Sequence, residues 1–252
     1  MIFIYDDTYE GFLSVIFEVY DRKTRPDEIH KKSHFQAGLF GETLEVNTDV
    51  ERASRVINGL KKKLSARAIN NLYRCWLSEI PQIEMVIFRY VAYALKSDKN
   101  IESNYAHPDV LEVKKVVKMI GREVHRMHAF VRFQKTKDEV YVATINPDFD
   151  VMPLLPKHFK DRYQDQQWLI YDTKREYGIF YDMEKVSEIV LENAEWQGRN
   201  KVKRSVLDEG EDEYENLWKS YFKATTIVER TNIKLHLKHV PHRYWKYLPE
   251  KN

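Results

Sequence analysis

Residues 108–145 read PDVLEVKKVVKMIGREVHRMHAFVRFQKTKDEVYVATI, and the hydrophobic period changes part-way along. Val113, Val116, Val117, Ile120, Val124 and Met127 recur at the three- and four-residue spacing of an amphipathic helix, which Pro108 and Asp109 open. From Phe130 the spacing falls to two. Phe130-Val131-Arg132-Phe133 and Val140 to Ile145 alternate about a Lys137-Asp138 turn and predict a hairpin. A helix giving way to hairpin strands predicts an α+β chain: an antiparallel sheet with a block of helices before it and C-terminal helices after it.

Working upstream, Thr48 and Glu51 have the T-x-x-E form of a capping box ahead of Ala53, Ile57 and Leu60. Ser65 starts a helix with Ile69, Leu72, Tyr73, Trp76 and Ile80 on one face, and Pro81 suits the first turn of the next. Residues 22–47 read as a polar loop, and Met1 to Tyr5 as a strand followed by a helix capped by Asp7 and Glu10. Downstream, an amphipathic piece runs from His158 to Tyr163, and Trp168 to Tyr171 with Tyr177 to Tyr181 predicts a second hairpin. Met183–Gln197, Glu211–Arg230 and Ile233–His239 read as helical. Without a repeat or a sharp composition break, the expectation is one α+β domain over 1–252. Its sub-blocks are 1–128, mainly helical, and 129–252, hairpins plus C-terminal helices.

Composition bounds the function. The 252 residues are 43% hydrophobic and 32% charged, with 8 Gly and 8 Pro, which suits a packed core and excludes low-complexity classes. A single cysteine, Cys75, excludes a disulfide framework, a cysteine-held iron–sulfur cluster and a multi-cysteine zinc site within this chain. The most apolar stretch, Ile83 to Leu95, is broken by Glu84 and Arg89, so no membrane span is expected. The opening Met1–Asp7 lacks a basic leader, and the expectation is a cytoplasmic protein without a membrane partner. The net charge of +2 conceals segregation: Leu111–Lys137 carries eight Lys and Arg against two acids, and Lys219–Asn252 carries another eight against two. Such stretches attract phosphate, although a solvated helix face has the same composition.

Three constellations carry chemistry. Arg122, His125 and Arg126 share a helical face, with His128 and Arg132 just beyond, and could hold a phosphate or an extruded base. Cations favoured at a helix C-terminus, with one packed histidine, are the plainer explanation. His125, His128 and His158 are the candidates for acid–base work. Arg243-Tyr244-Trp245-Lys246 interleaves cations with stacking faces, the two ingredients of single-strand or extruded-base binding, near Arg230, Lys234 and Lys238. No metal site is expected: His30 and His34 lack the glutamate of H-E-x-x-H, and Pro241 interrupts His236, His239 and His242. Asp148 and Asp150 suit a divalent ion but follow Pro147, where aspartates form turns. No nucleophile elbow or phosphate-binding glycine loop occurs.

Tyr5-Asp6-Asp7-Thr8-Tyr9-Glu10-Gly11-Phe12-Leu13 resembles the Y-D-G-[ST]-[FY]-E-G-F-L opening of a bacterial family of unknown function whose members are labelled DNA metabolism or DNA repair proteins. Matches continue in order through His125-Arg126-Met127, Phe130-Val131-Arg132-Phe133, Pro156, Phe159, Arg162 and Trp168-Leu169-Ile170-Tyr171-Asp172. They end at Trp218, Arg230, Asn232 and Pro241-His242-Arg243-Tyr244-Trp245. Asp7, where the family has Gly, and His128, where relatives carry Lys, depart from the pattern. The resemblance implies a gene neighbour resembling spore photoproduct lyase, a radical-SAM iron–sulfur protein, and related domains fused to uracil-DNA-glycosylase-like modules. It thereby implies a DNA-binding accessory protein in DNA repair or DNA modification, with no cofactor of its own. On this reading Arg122, Arg126, Arg132, Arg162, Arg230, Lys234, Lys238 and Arg243 grip phosphate, and Tyr244 or Trp245 stacks on a base. The alternatives are an enzyme of lyase or nuclease type acting directly on DNA, and a protein-interaction scaffold that makes no DNA contact.

Overall fold

The computed structural model describes residues 1–36, 42–191, 196–197, 201–226 and 232–251. They form two compact units, 1–121 and 122–252.

In the first unit, β1 (Ile2–Tyr5) lies between β2 (Glu28–Lys31) and β3 (Thr43–Val46), parallel to both. These flanking strands occupy the stretch expected as a loop. Each buries only one or two residues, Ile29 and Lys31 in β2 and Val46 in β3, too few to leave a readable alternation. The connection from β1 is α1 (Tyr9–Asp21), whose cap is Thr8 rather than Asp7: the Thr8 hydroxyl accepts from the Gly11 amide at 2.9 Å. Thr48 is likewise taken up elsewhere, donating to Asp6, and Asp49 caps α2 (Val50–Lys61) by accepting from the Glu51 and Arg52 amides. Ser65 caps α3 (Ala66–Trp76) as expected, and α4 (Ile83–Lys96) begins two residues beyond Pro81. In the core, Tyr5 donates to Glu84 at 3.0 Å and accepts from the Trp76 indole N–H at 2.9 Å. α5 (Pro108–Phe130) opens at Pro108 and contributes Val110, Val113, Val116 and Ile120 to the buried set of this unit.

The second unit holds the rest of α5 and a sheet ordered β4 (Gln134–Lys135), β5 (Tyr141–Ile145), β6 (Trp168–Asp172), β7 (Tyr177–Tyr181) and β8 (Val186–Ile189). The chain is α+β as expected, but this sheet is mixed. β5 and β6 run parallel because residues 146–167, with α6 (Pro156–Arg162), carry the chain back between them, and the other three pairings are antiparallel. The first hairpin shrinks accordingly. α5 continues through Phe130, with the Val131 amide donating to Met127, so Phe130–Phe133 is not a strand. Of the stretch Met183–Gln197, expected as a helix, residues 192–195 lie outside the described residues and 183–191 are not helical: Asp182 accepts from the Glu184 and Lys185 amides at 2.9 and 2.8 Å, making a tight turn that folds β8 onto β7. The second hairpin forms as expected, and Gly178 opposite Tyr171 allows the close approach, since a Cβ there would meet the Ile170 carbonyl at 2.8 Å.

Every residue of β6 is buried, which is why Trp168 to Tyr171 reads as an apolar run; only Asp172, at its end, is charged. One face carries Leu169 with Val142, Val202 and Leu207. Trp168 belongs to an aromatic cluster with Phe133, Phe159 and Tyr181. Short strands β9 (Trp196–Gln197) and β10 (Lys201–Val202) pair antiparallel, and α7 (Glu211–Thr225) and α8 (Ile233–His239) follow.

Candidate nucleic-acid interface

The last turns of α5 carry a charge on their apolar side. Glu123 falls between Ile120 and Met127 at helical spacing, and its carboxylate is 1% exposed. Isolated, such a charge is strongly disfavoured. Here it is saturated: the Asp148 amide donates to it at 3.0 Å, Arg243 at 3.0 Å and Arg126 at 3.3 Å, and the Tyr244 hydroxyl donates to it as well. Pro241 ends the chain's last helical stretch and starts a 3-10 turn over His242–Tyr247, which brings Arg243 and Tyr244 to Glu123.

Tyr244 is 1% exposed, and burial together with its bond to Glu123 pushes its hydroxyl above the usual tyrosine range. Arg243 is different. Its guanidinium bonds Glu123, the Tyr244 oxygen at 2.6 Å and the Asp148 carboxylate at 2.7 Å, yet its side chain remains 38% exposed. Burial alone would lower its pKa, but Tyr244, Glu123 and Asp148 together raise it, so it stays cationic.

The Pro147–Asp150 loop beside it is fixed from below. The Asp172 carboxylate, fully buried, caps the β6–β7 turn by accepting from the Lys174 amide at 2.8 Å and pairs with Arg175 at 2.7 Å. Arg175 reaches the Pro147 and Asp148 carbonyls, Lys174 the Asp148 carbonyl, and Tyr177 donates to Asp150 at 2.6 Å. Asp148 and Asp150 are therefore engaged by Arg243 and Tyr177, not turned towards a common ion. Among the described residues no group of three or more His, Cys, Asp or Glu is arranged to hold a metal.

The family profile DUF4130, described as a domain of unknown function, matches residues 81–250 and so takes in this whole centre. The chain belongs to the DUF4130 family. No curated protein matches the sequence.

The other expected site residues of this DUF4130 chain are spread over the second unit. Arg132 is occupied: it pairs with Glu250 at 2.7 Å, and its guanidinium lies 5.3 Å from the centre of the Trp218 ring. Arg122 and His125 are exposed on α5, and Arg162 is exposed at the end of α6, its Nε donating to Tyr163. Lys234 and Lys238 are exposed on α8. Trp245 is half-buried, donating to the Val240 carbonyl with its ring 4.1 Å from His242. Arg230 lies outside the described residues.

His128 and His158, thirty residues apart, stack at 3.8 Å with an interplanar angle of 11° against Phe159. Burial, then His158 and His125, push His128 down to about 4, and burial and Arg162 lower His158 too. Both rings are neutral near pH 7. His125, one turn before His128, is on the exposed side of α5 and takes no part in the stack. In the first unit the Cys75 thiol is buried, pushed up to about 12 and donates to the Val113 carbonyl, a structural rather than nucleophilic setting. No described helix is long and apolar enough to cross a membrane.

Sequence reasoning found Arg126, Arg243 and Tyr244 but missed Glu123, the residue that unites them. The signal was present: a glutamate flanked by Ile120 and Met127 on an otherwise apolar face demands partners. Arg175 and Glu250 left no such trace.

Proposed function

We propose that residues 122–252 bind nucleic acid through its phosphate backbone, as the accessory partner of an enzyme that repairs or modifies DNA. The observation carrying this reading is Arg243: a guanidinium oriented by a buried carboxylate and a buried tyrosine, yet still open to solvent. Arginine held in this way has already lost its rotamer freedom, so less entropy is lost when phosphate replaces the Asp148 carboxylate. Exposed Arg122, Arg162, Lys234 and Lys238 supply further phosphate contacts. Tyr244, being buried, has the role of positioning Arg243, and base stacking falls to Trp245. The family resemblance supports DNA as the polymer and a radical-SAM or glycosylase-like protein as the partner.

Binding of the purified chain to labelled single- and double-stranded oligonucleotides tests this at low and moderate salt. Affinity is expected to fall steeply with salt, and Arg243→Ala to flatten the log–log slope by about one unit. Absence of binding at low salt, or binding indifferent to Arg243→Ala, overturns it.

A further inference from the structure

Helix α7 (Glu211–Thr225) buries no residue. Tyr214, Leu217 and Tyr221 are 70%, 66% and 60% exposed, and their spacing of three and four places them on one stripe. The helix is nonetheless docked by another side. The Trp218 N–H donates to Glu250 at 2.9 Å, and the Lys251 ammonium lies 4.6 Å from the Phe222 ring centre. Two tyrosines and a leucine thus face water on a helix already anchored elsewhere. Aromatic residues in such a stripe characterise the centre of an interface rather than a solvated surface.

Charge identifies the occupant. Glu211, Asp212, Glu213 and Glu215 all lie in the N-terminal half of α7, and Lys219 and Lys223 in the C-terminal half. We infer that α7 pairs antiparallel with α7 of a second copy of this chain, through Tyr214, Leu217 and Tyr221. Antiparallel packing sets the acidic half of each helix beside the basic half of the other and opposes the two macrodipoles. Parallel packing sets acid on acid, and an external helix of uniform charge matches only one half. A two-fold axis between positions 217 and 218 brings Tyr214 of one copy to Tyr221 of the other, with the two Leu217 side chains adjacent. A 15-residue helix spans about 22 Å, so this contact falls short of the roughly 1,200 Å² of a stable interface. The dimer is therefore a dissociating one.

Sedimentation velocity on the full chain over a wide concentration range is expected to show a monomer–dimer equilibrium, and Leu217→Asp to raise its dissociation constant about tenfold or more. Disulfide trapping reads the orientation, because Cys75 is buried and silent. Leu217→Cys is expected to cross-link to itself. Tyr214→Cys and Tyr221→Cys are expected to cross-link poorly alone and well when the two variants are mixed. A chain that stays monomeric throughout, or one whose dimer ignores Leu217→Asp, overturns the inference and leaves the stripe to a different protein. Self-cross-linking of Tyr214→Cys as efficient as that of Leu217→Cys overturns the antiparallel arrangement. None of these outcomes depends on nucleic-acid binding.

Discussion

Each unit contains a tyrosine that donates its hydroxyl proton to a buried glutamate, and the two pairs differ in what surrounds them. In the first, Tyr5 and Glu84 are closed off: the Trp76 indole donates to the tyrosine oxygen, and Lys31, 8% exposed, places its ammonium 4.3 Å from the centre of the Trp76 ring. In the second, Tyr244 and Glu123 sit beneath two arginines and a loop amide, and Arg243 carries the network out to solvent. Burial and the neighbouring carboxylate raise both tyrosine hydroxyls well above their ordinary range. The shared motif is therefore a packing device. What differs is that the second network reaches solvent through a guanidinium, whereas the first is closed over by Trp76 and Lys31.

The largest expected effect separates the two carboxylates. Glu123→Ala leaves Arg243, Arg126, the Tyr244 hydroxyl and the Asp148 amide without their common acceptor and should destabilise the chain by about 3–5 kcal/mol. Glu84→Ala removes a single such bond, at about 1–3 kcal/mol. Denaturant midpoints measure both, and equal losses would dissolve the distinction. The tyrosines should rank in the opposite order. Tyr5→Phe strands the Trp76 N–H as well and should cost about 1–3 kcal/mol, whereas Tyr244→Phe leaves Glu123 its arginines and amide and should cost about 0.5–1.5 kcal/mol.

Acid should loosen the second unit first. His128 is lowered from its ordinary 6.5 to about 4, so the unfolded chain binds its proton before the folded one does. Its contribution is complete above about 6.5 and is lost as pH falls from there towards about 4. In the first unit Asp6 responds later. Burial tends to raise its pKa, but bonds from Thr48 and Thr8 hold it below the ordinary 3.8, so its contribution persists above that value and fades below it. Melting curves from pH 7 to 4 should show a decline that His128→Phe flattens. An unchanged slope in that variant would assign the acid sensitivity to other groups.

Asp148→Asn should be the mildest change to stability, below about 1 kcal/mol, because the ion pair with Arg243 is partly exposed. Its value lies in binding. Removing the carboxylate that competes with phosphate should tighten oligonucleotide affinity, and weaker binding would mean that Asp148 orients Arg243 instead of occupying it.

The sequence was most readable where one period persisted. α5 opens at Pro108 and buries Val113, Val116, Ile120 and Met127 because a long helix repeats its inward spacing many times. Its exit was misjudged since Phe130-Val131-Arg132-Phe133 alternates by chance while Met127 and Val131 still share a helical hydrogen bond. β2 and β3 were illegible for the opposite reason: four-residue edge strands, largely polar, owe their form to β1 rather than to their own pattern. The centre was half legible. Arg126, Arg243 and Tyr244 stood out by type, but their assembly depends on Pro241 and Glu123, separated by more than a hundred residues, and no local spacing encodes that meeting.

The Asp148 amide offers a view of this centre from outside. It belongs to a surface loop, where backbone protons ordinarily trade with solvent deuterium in seconds, yet it is locked onto a buried carboxylate, and two cationic side chains reach its carbonyl. It should exchange only when the α5–tail junction comes apart. One slow proton in an otherwise fast loop then clocks the opening of the whole assembly, and ligands that engage Arg243 without prising it from Glu123 should slow that clock further.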